Sequence, residues 1–318
     1  MSHTLRQIAE QLRASNKKVQ LIYAFNGNGK TRLSREFKEL VSPKPDPDAD
    51  EEHQSKILYY NAFTEDLFYW DNDLHGDTVR KLIIQPNNYT EWALKDQGQE
   101  VNATKHFQRY TNSKLTPLFD PLFKEVRFTM ESGDQGTLQN IKISKGEESN
   151  FIWSIFFSVI DQIVSSLSEP ESDSAGQFAH LEYVFIDDPV SSLDENHLIQ
   201  SAVDLARLIK SDGSDLKFII STHSPLYFNV LANEFRRGFS SNWKNKTHSK
   251  HLLEKENDGN RKPPKRFVNI CQMFCVFALS PRQVELRTFS RASAAPPPRA
   301  GSPSCVSCTP VWMLTVSD

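Results

Sequence analysis

Residues 24–31 read AFNGNGKT, and residues 183–197 read YVFIDDPVSSLDENH. The first stretch puts two glycines, a lysine and a threonine after an apolar run. Gly27 and Gly29 permit a tight turn that aims backbone N–H groups at phosphate oxygens, with Asn26 and Asn28 shaping it. Lys30 can reach the outer phosphates of a nucleotide, and the Thr31 hydroxyl can ligate Mg2+. A helix starting near Lys30 would add its positive N-terminal end. The match to G-x-x-x-x-G-K-[ST] departs only at Ala24, a position that carries no chemistry. The second stretch ends an apolar run on two carboxylates. In an open α/β sheet the ligand crevice lies at the carboxyl ends of the strands. Asp187 would hold Mg2+ there directly or through water, and Asp188 would polarise an attacking water. Without the glycine-rich loop, the same pair would read as a turn before Pro189.

Those groups need strands and helices to hold them. VQLIYAF (19–25) reads as a buried strand and RLSREFKELV (32–41) as a helix, so the loop lies between strand and helix. TLRQIAEQLRA (4–14) has helical spacing, and KILYYNAF (56–63) reads as a strand. Residues 64–126 are a variable insert in which several helices are expected. VRFTME (126–131) and NIKIS (140–144) read as strands around a glycine-containing turn. NFIWSIFFSVIDQIVSSL (150–167) reads as a core helix, too interrupted for a membrane span. LEYVFID (181–187), HLIQSAVDLARLIKS (197–211), LKFIIST (216–222) and PLYFNVLANEF (225–235) then alternate strand and helix. The pattern predicts an α/β fold with a mostly parallel sheet flanked by helices. PKPDPDADEEHQ makes 43–55 a polar loop.

Composition narrows the function. Before residue 260 the chain carries 29 Lys/Arg and 38 Asp/Glu, a net charge of −9. Such a body gives no support for broad electrostatic binding of nucleic acid. The N-terminus has no apolar signal region, which points to a cytoplasmic protein with no membrane partner. Past Gly259 the character changes: eight of the 17 prolines, all four cysteines and eight Lys/Arg against two acids fall there. The cysteines (Cys271, Cys275, Cys305, Cys308) have spacings that invite a zinc reading, but no turn glycines accompany them. Residues 260–318 are expected to be a basic, disordered tail or the product of a shifted reading frame near residue 259.

The motifs also carry a resemblance. Asp187-Asp188-Pro189-Val190-Ser191-Ser192-Leu193-Asp194 resembles the Walker B and D-loop of ABC-type ATPases, with Asp188 where that family mostly has Glu. ISKGEES (143–149) resembles their signature loop, with Ile143 and Lys145 as departures, and STHS (221–224) resembles their switch-histidine loop. Phosphate loop, signature, Walker B and switch occur in the family's order. The likeness is closest to the anticodon-nuclease type (PrrC and RloC) and its RecF/OLD-like defence relatives, over roughly residues 18–259. Gly29 and Gly146 are 117 positions apart without sustained heptads, so the long arms of SMC-like proteins are not expected.

The resemblance implies a P-loop NTPase with ATP and Mg2+ as ligands and a head-to-tail homodimer. Ser144, Gly146 and Glu147 would complete the nucleotide site of a second copy. Ser191 and Asp194 would line the seam, and His223 would approach the γ-phosphate. The Q-loop residue stays open between Asn61 and Gln85. The family reading is a regulatory ATPase of an anti-phage system, with an effector nuclease and tRNA as possible partners. A complete anticodon ribonuclease and a nucleotide-binding scaffold without turnover are the alternatives. No histidine follows residue 259 to supply the family's nuclease group. Translating codons 245–275 in all three frames separates the two readings of the tail. A shifted frame should continue as acidic, globular sequence, and a native tail should have no open alternative.

Overall fold

A computed structural model describes residues 3–43, 55–61, 64, 67–72, 80–86, 88–132, 136–168, 178–189, 193, 195–236, 248–255 and 311–316. The chain opens with α1 (Leu5–Ala14), β1 (Val19–Tyr23) and α2 (Lys30–Val41), then β2 (Ile57–Tyr60). An antiparallel unit follows: β3 (Phe68–Asn72), β4 (Arg80–Ile84), α3 (Asn88–Glu91) running into a π-helical turn (Trp92–Asp96), α4 (Glu100–Tyr110), β5 (Leu115–Phe119), β6 (Glu125–Glu131) and β7 (Thr137–Leu138). The long α5 (Lys145–Ser168) leads back to β8 (Tyr183–Asp187), α6 (Glu195–Ser211), β9 (Lys217–Thr222), α7 (Pro225–Arg236), β10 (His248–Lys255) and β11 (Val311–Val316).

The main sheet runs β11-β10-β1-β9-β8-β2, and every described pairing in it is parallel. Its central strands are mostly apolar because both faces are covered. Val19, Leu21, Val184, Ile186, Phe218 and Ile220 face the side packed by α5, α6 and α7. Ile22, Phe185 and Ile219 face α1 and α2 on the other side. A capping box fixes the start of α1: Thr4 Oγ1 accepts from Gln7 N–H, and the Gln7 side chain returns to Thr4 N–H. Gln20, a polar residue in β1, donates to the Leu12 carbonyl at 2.8 Å, which ties the strand to α1.

The expectation of several helices over 64–126 is met by α3, the π-helical turn and α4, but it is incomplete. Much of that region is a second, antiparallel sheet, β3-β4-β6-β5, with β7 beside β6. Leu82, Leu115, Val126 and Phe128 are buried toward α4 and α5, while Arg127 and Leu118 are exposed. This half-buried alternation has strand period, but the short strands and the intervening α4 obscure it in sequence. The expected strand over 140–144 is corrected: those residues lead into α5, and β6 pairs instead with Thr137–Leu138. β10 was not foreseen, because HSKHLLEK is too polar to read as a buried strand. In the expected low-order tail, Val311–Val316 forms a strand parallel to β10. The four cysteines and most of the polar loop 43–55 lie outside the described residues.

α5 has the length and hydropathy of a membrane span, yet 72% of its most apolar window is buried inside the protein. Phe151 packs on Phe68, Phe107, Phe119 and Phe128 with ring centroids 5.3–6.2 Å apart. Trp153 and Phe156 pack on Tyr60. α5 is therefore the core helix that joins the two sheets.

β10 buries His248 and His251, and burial lowers each pKa to about 4; Lys250 and Lys17 add to the effect at His248. Both would titrate near 6.5 in the unfolded chain, so between about 4 and 6.5 the unfolded state binds more protons. Stability should therefore fall as pH drops through that window, by up to about 1.4 kcal/mol per pH unit for each histidine. Thermal melts at pH 7, 6 and 5 should show a declining Tm, and His248→Asn should flatten the decline. An unchanged Tm across that range in the native chain would contradict neutral burial.

Candidate nucleotide site

β1 ends at Tyr23, and the chain turns through Ala24–Gly29 before α2 starts at Lys30. Gly27 and Gly29 have φ of 85° and 90°, the left-handed region that side chains with a Cβ rarely enter. Gly29 is the N-cap residue of α2 and offers no side-chain cap, so the first N–H groups of the helix face the loop without an intrahelical partner. Asn28 Nδ2 donates to the Leu253 carbonyl at 3.2 Å and moors the loop to β10. Asn26 Oδ1 accepts from Lys30 Nζ at 3.2 Å, and the Ala24 carbonyl does so at the same distance.

The two aspartates lie beside this loop because β8 and β1 flank β9. They have different surroundings. Asp187 is fully buried. Ser221 Oγ donates to its Oδ1 at 2.5 Å, and Ser34 Oγ stands 3.4 Å from its Oδ2. Burial pushes its carboxyl above the ordinary range, and the Ser221 and Thr31 hydroxyls offset part of that. Asp188 sits at the crevice. Its Oδ2 is 2.6 Å from His223 Nδ1 and 3.6 Å from Lys30 Nζ, and its Oδ1 accepts from Thr222 Oγ1 and His223 N–H at 3.3 Å each. Burial raises the Asp188 carboxyl, but the His223 contact and the Lys30 charge outweigh it and hold the group below the usual carboxylate range.

Asp188 has φ 57°, a left-handed conformation in a non-glycine residue. Such a conformation costs about 1 kcal/mol or more and persists where surrounding structure enforces it. Here the Asp188 N–H donates to the Ser221 carbonyl at 2.9 Å, and its side chain is held from three directions. The strain turns the carboxylate away from the buried Asp187 and toward Lys30 and His223.

The structure thus brings together Asn26, Gly27, Asn28, Gly29, Lys30, Thr31, Asp187, Asp188 and His223. Ser144 and Glu147 are placed elsewhere, at the start of α5. Ser144 Oγ accepts from Glu147 N–H at 3.2 Å, and Glu147 Oε2 accepts from Ser144 N–H at 2.7 Å. This capping box leaves the serine hydroxyl proton available to donate. Gly146 lies between them in the first turn of α5. Ser191 and Asp194 lie outside the described residues. Of the two Q-loop candidates, Asn61 Nδ2 donates to the Tyr59 hydroxyl at 3.2 Å, and Tyr59 reaches Ser34 Oγ at 2.8 Å. Asn61 is thereby linked to Asp187, whereas Gln85 follows β4 of the antiparallel sheet.

Sequence reasoning did not single out Ser34, Ser221, Thr222 or Tyr59. Ser34 lies one helical turn after Thr31, a spacing that puts both hydroxyls on one face of α2. Among the described residues no group of three or more His, Cys, Asp or Glu could hold a metal alone. The donors present, Thr31 and Asp187, nevertheless suit Mg2+, which takes oxygen ligands and commonly shares a site with substrate phosphates.

No protein-family model matches the chain. Over 262 residues it is 55% identical to a protein described as anticodon nuclease from Escherichia coli, covering 74% of this chain and 66% of that protein. The chain thus spans just under two thirds of that relative's length. Among solved structures, an Smc head bound to the C-terminal winged-helix domain of ScpA covers 68% of this chain and 85% of its own, with 11% identity and a TM-score of 0.34. The SMC head domain from Thermotoga maritima covers 68% and 84%, with 13% identity and a TM-score of 0.30.

Gly29→Ala tests the loop geometry. A Cβ there would meet Leu5 Cδ2 at 3.9 Å, an ordinary contact, so the cost comes from the φ of 90°. A left-handed alanine costs about 1–2 kcal/mol. The melting temperature should fall by roughly 2–4 °C per kcal/mol. Calorimetry of the variant beside the native chain measures it.

Proposed function

We propose that this chain, 55% identical over 262 residues to a protein described as anticodon nuclease, is an ABC-type head that binds and hydrolyses Mg–ATP as the regulatory ATPase of an anticodon-nuclease-type defence system. The observation that carries this reading is the convergence of Lys30, Asp188 and His223 within 3.6 Å contacts at the carboxyl ends of three parallel strands. A scaffold role would not require a strained carboxylate held ionised beside a histidine.

Lys30 is spent on the Ala24 carbonyl, Asn26 and Asp188, and a polyphosphate would replace those partners with stronger anionic ones. The glycine-shaped loop and the N-terminus of α2 would supply N–H donors to the same phosphates. Thr31 and Asp187 would hold Mg2+, whose charge would offset the burial of Asp187. Bound Mg2+ supplies charge neutralisation and orients the phosphates for in-line attack. Asp188, kept ionised, would accept a hydrogen bond from the attacking water and orient it. Its single methylene is shorter than the usual Glu, and the left-handed backbone at Asp188 redirects the carboxylate toward the crevice. His223 commits Nδ1 to Asp188, so Nε2 is the atom left to face the γ-phosphate.

The resemblance to ABC-type heads supports the rest of the reading. Ser144 and Gly146 of one copy would close over the nucleotide of another, making a homodimer with ATP at its seam. Cytoplasmic location, an anti-phage role, and an effector nuclease acting on tRNA are part of the same proposal, since the relative is described as an anticodon nuclease.

Lys30→Ala should lower ATP affinity at least 100-fold in a fluorescent-nucleotide titration. Asp188→Asn should retain binding, lose at least 100-fold in turnover and accumulate an ATP-bound dimer in sedimentation. Tight ATP binding by the Lys30→Ala variant would refute the site. Binding without turnover in the native chain would favour the scaffold reading.

A further inference from the structure

The start of α5 is held twice, and only one of the holds is local. The local one is the capping box between Ser144 and Glu147. The other comes from Glu148, a buried carboxylate. Trp70 Nε1 of β3 donates to Glu148 Oε2 at 2.9 Å, and Lys145 Nζ lies 2.7 Å from Oε1. Trp70 in turn packs on Phe128 of β6, with ring centroids 6.0 Å apart, and Lys142 Nζ stands 5.8 Å from the Trp70 ring centroid.

Apolar packing already holds α5 against the antiparallel sheet, through Phe151. Such packing is non-directional, so it fixes the aim of the polar first turn less sharply than a hydrogen bond does. A buried carboxylate adds that direction, because it must keep its donors. The Lys145 side chain is 65% exposed and can follow Glu148, whereas Trp70 is fixed in a sheet. The Trp70–Glu148 bond therefore sets the azimuth of the first turn of α5, and with it the direction of the Ser144 hydroxyl. We propose that Trp70 and Glu148 are positioning residues that orient the signature serine from the antiparallel sheet, so that the second copy's nucleotide is met at the correct angle. This rests on the proposed nucleotide-joined dimer and adds Trp70, which no motif contains, together with a role for Glu148 inside ISKGEES.

Trp70→Phe removes the N–H donor and keeps an aromatic ring against Phe128. In the full chain it should leave ATP binding to the phosphate loop within about twofold and reduce both ATP-dependent dimerisation and turnover about tenfold. Glu148→Gln keeps an acceptor for Trp70 and should behave within about threefold of the native chain, while Glu148→Leu should match Trp70→Phe. Hydrogen exchange at the Glu147 and Glu148 amides should accelerate in Trp70→Phe and Glu148→Leu but not in Glu148→Gln. This exchange is read without ATP and does not depend on dimerisation. Native-like exchange and dimerisation in Trp70→Phe, or equal losses in Glu148→Gln and Glu148→Leu, would overturn the positioning role. A native chain that shows no ATP-dependent dimer would instead overturn the dimer reading and, with it, the function assigned to the brace.

Discussion

Asp187 is a carboxylate taken entirely out of water, and a charge in that position must be surrounded by donors. The site grows out of that requirement. Ser221 from β9, Ser34 and Thr31 from α2, and Tyr59 from β2 through Ser34 all converge on it. They come from one helix and two strands besides β8 itself, so satisfying one carboxylate locks the helix that follows the glycine-rich loop to the carboxyl ends of three strands. Hydroxyls relieve only part of the burial cost, which leaves the group suited to a divalent cation.

Asp188 is the complement. Its neighbour in sequence is sealed in the core, while its own backbone flips into the left-handed region and places its carboxylate in the crevice. There it meets Lys30 and His223. Two adjacent residues of one type thus acquire different surroundings because one remains in the strand and the other leaves it. In a regular strand the side chains would simply alternate across the sheet. Here the positive φ sets the second direction instead.

The antiparallel sheet bears on the same chemistry at a distance. Its inner face carries Phe128 and Leu82 against the core, and α5, which packs on it, begins with the ISKGEES segment. The ring cluster around Phe151 supplies adhesion, and Trp70 with Glu148 supplies direction. In the proposed dimer this loop would meet another copy's nucleotide, and such an outside reference would aim it, because its own capping box fixes only the local turn.

The residue types and spacing of AFNGNGKT, ISKGEES, FIDDP and STHS determined which kind of chemistry is proposed, since glycines at left-handed positions, a lysine before a helix and strand-end carboxylates are local features. The apolar runs of β1, β8 and β9 likewise determined a parallel sheet buried on both faces. Local pattern was weaker where burial is one-sided or polar: the antiparallel strands over 68–131 and the histidine-bearing β10 owe their conformation to partners far along the chain. Only the tertiary structure decided which hydroxyls surround Asp187, that Asn61 rather than Gln85 joins that network, and that Trp70 reaches Glu148. These contacts join residues up to 153 positions apart. Their existence depends on how the sheets and α5 pack, and no local periodicity encodes that.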